Sequence, residues 1–246
     1  MPLTPVRTLR AFTYGVAVDG VDDYVALPLD VVRAMGTRFS FELWMRPRSY
    51  INTGEGFGAL FANYLWLTSG FGLVNQAIGD RLFFLTFYNG GNSAILMDGL
   101  SRRFGRWMHV VCNYDSVVPI QELWVDAVRV GYITPVPMVY LDLAAYLRSQ
   151  NMPNIYAAFR VYSRPLTYDD ILQNHYSPED PVSGGLALSL YAHPDYIRDI
   201  DNDGVLEWID LSGNGYHGKI YGAVLTRLVK EPARALSPAR VLAPAR

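Results

Sequence analysis

The run from Asp199 to Asp210, DIDNDGVLEWID, sets acidic residues at its first, third, fifth, ninth and twelfth positions and a glycine at its sixth. Carboxylates at alternate positions ahead of a glycine suit a hard divalent cation, because several oxygens must converge on one point while the glycine permits the sharp turn. Asp199, Asp201, Asp203, Glu207 and Asp210 are the expected side-chain ligands of a structural calcium ion, with Val205 offering its carbonyl. The spacing departs from the usual calcium loop in two ways. Its twelfth position is Asp rather than a bidentate Glu, and no pair of amphipathic helices flanks it. The alternative is a solvated acidic turn.

Other chemistry is sparse. Glycoside hydrolysis needs two carboxylates flanking one bond, commonly presented as Glu-x-Asp-x-x-Glu along a strand. Glu42 and Glu122 instead stand alone on their segments. No Ser-His-Asp signature, glycine-rich phosphate loop or Cys/His metal cluster is written in the chain. Of the four histidines, His109 falls in a strand pattern, His175 on a helix face and His217 in the turn NGYHG. The single Cys112 sits among apolar residues and is expected to be a buried hydrophobe rather than a reactive thiol. The expectation is a protein that is not an enzyme and whose ligand-binding residues are not named by any motif.

The elements that must position these groups are strands. Between Gly105 and Gly131, Met108, Val110, Cys112 and Tyr114 alternate with Trp107, His109, Val111 and Asn113, the period of a strand with one buried face. After a polar reversal through Pro119, Leu123 and Val125 face one way and Trp124 the other, and Asp126-Ala127 turns the chain into a third strand. Phe39, Phe41, Leu43 and Met45 make another inward face, with Glu42 and Arg46 opposite. Strands are expected at 11–18, 24–27, 60–67, 71–75, 81–88 and 155–162, with 49–58 as loop. The run RLFFLTFY (81–88) is apolar on both faces, which requires a cover on each side. Thr167 and Asp170 form a capping box that opens a short helix over 167–176. Leu29–Met35 and Leu141–Arg148 are each expected to add a helical turn.

Length is compatible with one all-β domain over residues 1–225, followed by a Pro/Ala/Arg-rich extended tail at 226–246. With 21 basic against 23 acidic residues, a general nucleic-acid surface is not expected, and the basic tail alone could serve one. No signal peptide and no apolar stretch long enough to span a membrane is expected in the chain.

The Trp-x-His-Val strand ending in Tyr114-Asp115, followed by Leu123-Trp-Val-Asp126, resembles the central strands of laminin-G-like domains. Three further stretches resemble the same family in the same order: VDGVDDYVALP (18–28), FSFELWMRP (39–47) and FRVYSRPLTYDDILQNHY (159–176). The resemblance implies a concanavalin A-like jelly-roll sandwich of two antiparallel sheets. WIDLSGNGYHGKIYGA (208–223) resembles what the family carries ahead of its first strand, yet here it lies near the C-terminus. Residues 185–225 are therefore either a circularly permuted piece that completes its own sandwich or a segment donated to a neighbouring copy. Two functions follow as expectations. The first is a non-catalytic subunit of a large assembly, a virion or a surface filament, whose partners are copies of itself or other subunits. The second is a lectin-like adhesion module that takes glycan on its loops, with the tyrosine-bearing insertion between Tyr132 and Tyr156 offering stacking surfaces. A glycoside hydrolase is a remote third. The first two imply a virion or an extracellular, cell-surface location.

Overall fold

Period-two alternation of apolar and polar side chains builds two antiparallel sheets. The computed structural model describes residues 12–51, 57–65 and 68–228. The segment before residue 12, the centre of the loop expected at 49–58, the last two residues of the strand expected at 60–67, and the tail from residue 229 onward lie outside the described residues.

With strands numbered in chain order, the first sheet contains β1 (Tyr14–Val18), β3 (Arg38–Pro47), β8 (Met108–Asp115), β9 (Ile120–Val125), β10 (Val128–Ile133), β12 (Asn154–Tyr162), β13 (Leu186–Tyr191) and β17 (Val224–Arg227). Its order is β10-β9-β8-β3-β12-β1-β17, and β13 pairs with β12 further along the edge that β1 uses. The second sheet contains β2 (Tyr24–Ala26), β4 (Phe57–Leu65), β5 (Ser69–Gln76), β6 (Arg81–Tyr88), β7 (Gly91–Asp98), β11 (Tyr146–Arg148), β14 (Ile197–Arg198), β15 (Glu207–Trp208) and β16 (Gly218–Tyr221). Its order is β14-β15-β16-β2-β11-β4-β5-β6-β7.

Between the sheets, Phe39, Phe41, Leu43 and Met45 of β3 and Met108, Val110, Cys112 and Tyr114 of β8 meet Phe61, Phe71 and Phe84 of the second sheet. Phe41 lies 4.8 Å from Phe61, edge to face. Each such side chain contributes about 1.5–3 kcal/mol by leaving water, so this layer dominates stability. Cys112 belongs to it, and burial pushes its thiol well above the ordinary value.

Two helices cap the sandwich. Helix α1 (Leu29–Met35) buries Val31, Val32 and Met35 and ends at Gly36, whose φ of 59° suits a residue without Cβ. Helix α2 (Tyr168–Tyr176) opens on the capping box, in which Asp170 N–H donates to Thr167 Oγ1 and Thr167 N–H to Asp170 Oδ2. No helix among the described residues is long and apolar enough to cross a membrane.

Three expectations need correction. Residues 141–148 form no helix; Tyr146–Arg148 is a strand that joins β2 to β4, and a helix there would leave both of those edges unpaired. Strand β8 is buried along all eight residues, not on one face, because α2 and the chain that follows it cover its outer side. Strand β7 was not expected; it is a mostly exposed edge with few large apolar residues. The C-terminal strands pair within this chain: β13 with β12, β16 with β2, and β17 with β1.

Candidate functional site

The outer faces of the two sheets carry polar and aromatic side chains that the inter-sheet core does not use. On the first sheet, the residues alternating with the core ones are sealed under α2. Glu42 accepts hydrogen bonds from Arg160 Nη1 at 2.6 Å and Asn174 Nδ2 at 2.9 Å, and its Oε2 lies 3.1 Å from His109 Nε2. Burial alone would push the Glu42 carboxyl up, but Arg160 and His109 outweigh it and hold the group down, at about 2. Trp44 stacks on both His109 (4.8 Å) and His175 (5.3 Å). Burial holds the His175 imidazole neutral, down to about 4, with neighbouring His109 adding to the effect. Ser40 Oγ and Asn113 Oδ1 accept from Leu166 N–H, fastening the approach to α2. Glu122 accepts from Asn113, Trp124 and Arg129. Both strand glutamates therefore serve the fold.

On the second sheet the corresponding face is open. Val25, Leu147 and Ile220 point into the core, so their neighbours Tyr24, Tyr146 and Tyr221 point out. Tyr221 stacks on Tyr24 at 4.8 Å and 24°, and Tyr24 meets Tyr146 edge-on at 5.6 Å. The row stays accessible, with Tyr146 42% and Tyr221 37% exposed. Past Tyr146 it runs into a cavity of about 220 Å³ lined by Asn63, Tyr64, Leu141, Leu143 and Arg148 among others. Asn63 is buried; its Nδ2 donates to Leu143 O while its Oδ1 has no partner, and the buried Arg148 Nε has none either. A buried acceptor and a buried donor thus lie beside an aromatic wall, a mixture of the kind that carbohydrate hydroxyls and ring faces use. Among the described residues, no carboxylate lines the cavity. Beyond it, Phe57 and Tyr64 cover Val74, Phe83, Leu85 and Phe87, the second apolar face of β6.

The acidic loop adjoins the other end of the row. Asp199, Asp201 and Glu207 each bring one carboxylate oxygen within 4.8 Å of the others. Asp199 Oδ2 accepts from Gly204 N–H, while its Oδ1 is buried without a partner. Glu207 Oε2 accepts from Ile200 N–H. Asp203 turns to Lys219 Nζ at 2.5 Å, and its other oxygen accepts from Val205 N–H. Lys219 Nζ also lies 3.1 Å from Asp201 and 3.7 Å from Glu207, and this ammonium holds the Asp203 carboxyl below its ordinary value. Asp210 stands apart. Its two oxygens accept from the N–H groups of Ser189, Ser212 and Tyr216 and from Ser212 Oγ, so it pins the following turn to β13. His217 accepts from Asp210 N–H within the same turn. A second acidic cluster, Asp19, Asp22 and Asp23, satisfies loop N–H groups at Val21 and Asp19.

Sequence reasoning placed stacking surfaces in the 132–156 insertion, which supplies Tyr146, but it missed Tyr24, Tyr221, Asn63 and Arg148. The available signal was parity. Tyr24 and Tyr221 each adjoin a core-facing residue in a short strand, which forces them to the other face.

A family model of the concanavalin A-like lectin/glucanases superfamily matches residues 19–172, more than half of the chain. No curated protein matches by sequence. Among solved structures, a candidate carbohydrate binding protein from Bacteroides ovatus aligns with a TM-score of 0.63 and 15% identity over 89% of this chain and 61% of that one. A structure of botulinum neurotoxin type C, whose cell entry depends on interaction with two ganglioside molecules, aligns at 0.50 and 12% over 60% of this chain and 37% of that one. The chain thus spans less than two thirds of either protein.

Proposed function

Because the chain belongs to the concanavalin A-like lectin/glucanases superfamily, we propose that it is a non-catalytic carbohydrate-binding module that takes glycan along the outer face of its second sheet. The observation that carries this is the exposed Tyr221–Tyr24–Tyr146 row ending at the orphaned polar atoms of Asn63 and Arg148. Sugar rings stack on the tyrosines through their apolar faces, and their hydroxyls complete the two unpaired groups. The carbohydrate association of the Bacteroides protein, which shares the fold, supports the same reading. Binding to a glycan array, lost in Tyr24→Ala and Tyr146→Ala while folding is kept, is the expected result; an array signal unchanged in both variants overturns it.

Calcium is part of the proposal. Asp199, Asp201 and Glu207 would hold the ion, and the orphaned Asp199 Oδ1 fits a hard-cation ligand. Bound there it would supply positive charge at the end of the tyrosine row, in competition with Lys219 for Asp201.

A second reading, a subunit of a larger surface or virion assembly, is favoured by one observation: β17 is the last strand of its sheet and, among the described residues, pairs only with β1. Light scattering across a concentration series tests it, since a mass that stays monomeric removes self-assembly.

A further inference from the structure

A second cavity lies on the opposite sheet. It has a volume of about 320 Å³ and is bounded by Arg160, Ser189, Tyr191, His193, Tyr196 and Leu211 among others. Its floor is chemically unusual. Arg160 is 1% exposed and donates through Nη1 to Glu42 and through Nη2 to Pro178 O, yet its Nε is buried with no partner among the described residues. A buried N–H left unpaired is costly, so an acceptor oxygen arriving in this cavity gains a hydrogen bond that the fold leaves open.

Charge decides which acceptor. The Arg160 guanidinium is already matched by Glu42, and Glu179 adds a second carboxylate to the cavity wall. An anionic ligand would meet both carboxylates, whereas a neutral hydroxyl or amide oxygen would not. Tyr191, His193 and Tyr196 supply ring faces, and His193 packs 5.5 Å from Tyr196. Apolar faces, one buried donor and a guanidinium already matched by Glu42 together suit a compact, uncharged, hydroxylated ring, and the volume admits one such unit.

We propose that this cavity is a second carbohydrate subsite that takes one neutral pyranose unit, independent of the tyrosine row and on the other sheet. The inference deepens the carbohydrate-binding function proposed above and rests on it. The module would then engage two sugar units at once, and a branched or surface-displayed glycan would bind by avidity that neither subsite provides alone.

The test uses the full chain and a panel of methyl pyranosides, those of glucose, galactose, mannose and N-acetylglucosamine, read by saturation-transfer NMR and titration calorimetry. Leu211 is 43% exposed at the rim, so Leu211→Trp is chosen to fill the cavity without disturbing the Arg160–Glu42 pair; Tyr196→Ala, which removes a wall, is the second variant. At least one pyranoside should bind with a dissociation constant of about 1 mM, a value usual for so small a ligand. Tyr146→Ala should leave that signal in place, and adding Leu211→Trp or Tyr196→Ala should weaken it tenfold or more. Loss of all binding in Tyr146→Ala, with neither cavity variant having an effect, would overturn this subsite and leave the tyrosine row standing. Binding that depends on the cavity variants and ignores Tyr146→Ala would support the subsite as a site independent of the row. If none of the four pyranosides binds, the subsite is rejected, and the glycan array decides the tyrosine row separately.

Discussion

The two sheets treat their outer faces in opposite ways. The first turns Glu42, His109, Arg160 and Trp44 outward and then buries them, with Glu42 held by Arg160, His109 and Asn174 of α2 and Trp44 stacked on two imidazoles. The second turns Tyr24, Tyr146 and Tyr221 outward and leaves them in solvent beside polar atoms without partners. A sealed charged layer fixes one arrangement and meets solvent where a cavity reaches Arg160, whereas an open aromatic row presents its ring faces directly to a ligand. The difference assigns most of the stabilising charge pairing to one face and the open aromatic surface to the other.

The contrast is easiest to break at Glu42. Glu42→Ala leaves Arg160 buried without its counter-charge and should cost about 3–5 kcal/mol in denaturant unfolding; a loss below about 1 kcal/mol would mean that the sealed layer does not carry the fold. Acid should attack the same layer in two overlapping steps. His175 is neutral in the fold down to about pH 4 but takes a proton in the unfolded chain below its ordinary 6.5, so stability falls as pH drops from 6.5 to 4. Glu42 stays ionised to about pH 2 in the fold while the unfolded carboxyl protonates near 4.5, so a further loss runs from 4.5 downward. Melting curves across this range should show the upper step vanish in His175→Phe, which keeps a ring against Trp44; an unchanged upper step would place its origin elsewhere.

On the open face the expectation reverses. Tyr146→Ala should weaken glycan binding tenfold or more, worth about 1.4 kcal/mol, while shifting folding stability by no more than about 0.5 kcal/mol. A large drop in melting temperature would show that the row is structural after all. The smallest effect is expected at the acidic loop. Calcium at ten times its dissociation constant should raise the melting temperature by about 3–6 °C. Asp201→Ala should abolish the rise, and indifference of the parent chain to calcium would leave Lys219 as the loop's only cation.

How far this contrast could be read from sequence depended on whether a signal was local. The capping box at Thr167 and Asp170, the inward set Phe39 to Met45 and the double-sided run Arg81–Tyr88 were all legible, because each follows from spacing within one segment. The second buried face of β8 was not, since its cover comes from a helix that begins more than fifty residues later in the chain. Tyr146–Arg148 looked helical because three residues carry too little periodicity to declare a strand. The acidic spacing included Asp199, Asp201 and Glu207, whose oxygens lie within 4.8 Å of one another, and also Asp210, whose oxygens are taken by Ser189, Ser212 and Tyr216. The tyrosine row was out of reach, because Tyr24 and Tyr221 become neighbours only through the pairing of β2 with β16.

That pairing also sets a timetable. Tyr24 is synthesised early, and β2 must wait for β11 and then β16 before both of its edges are filled. Lys219 and Tyr221 arrive together on the latter strand, next to the acidic loop. A chain cut anywhere between Arg198 and Gly218 would therefore forfeit the end of the tyrosine row and the Lys219 clamp in a single event, while most of the inter-sheet core was already in place. Ligand binding along the row would then report that synthesis had passed Tyr221.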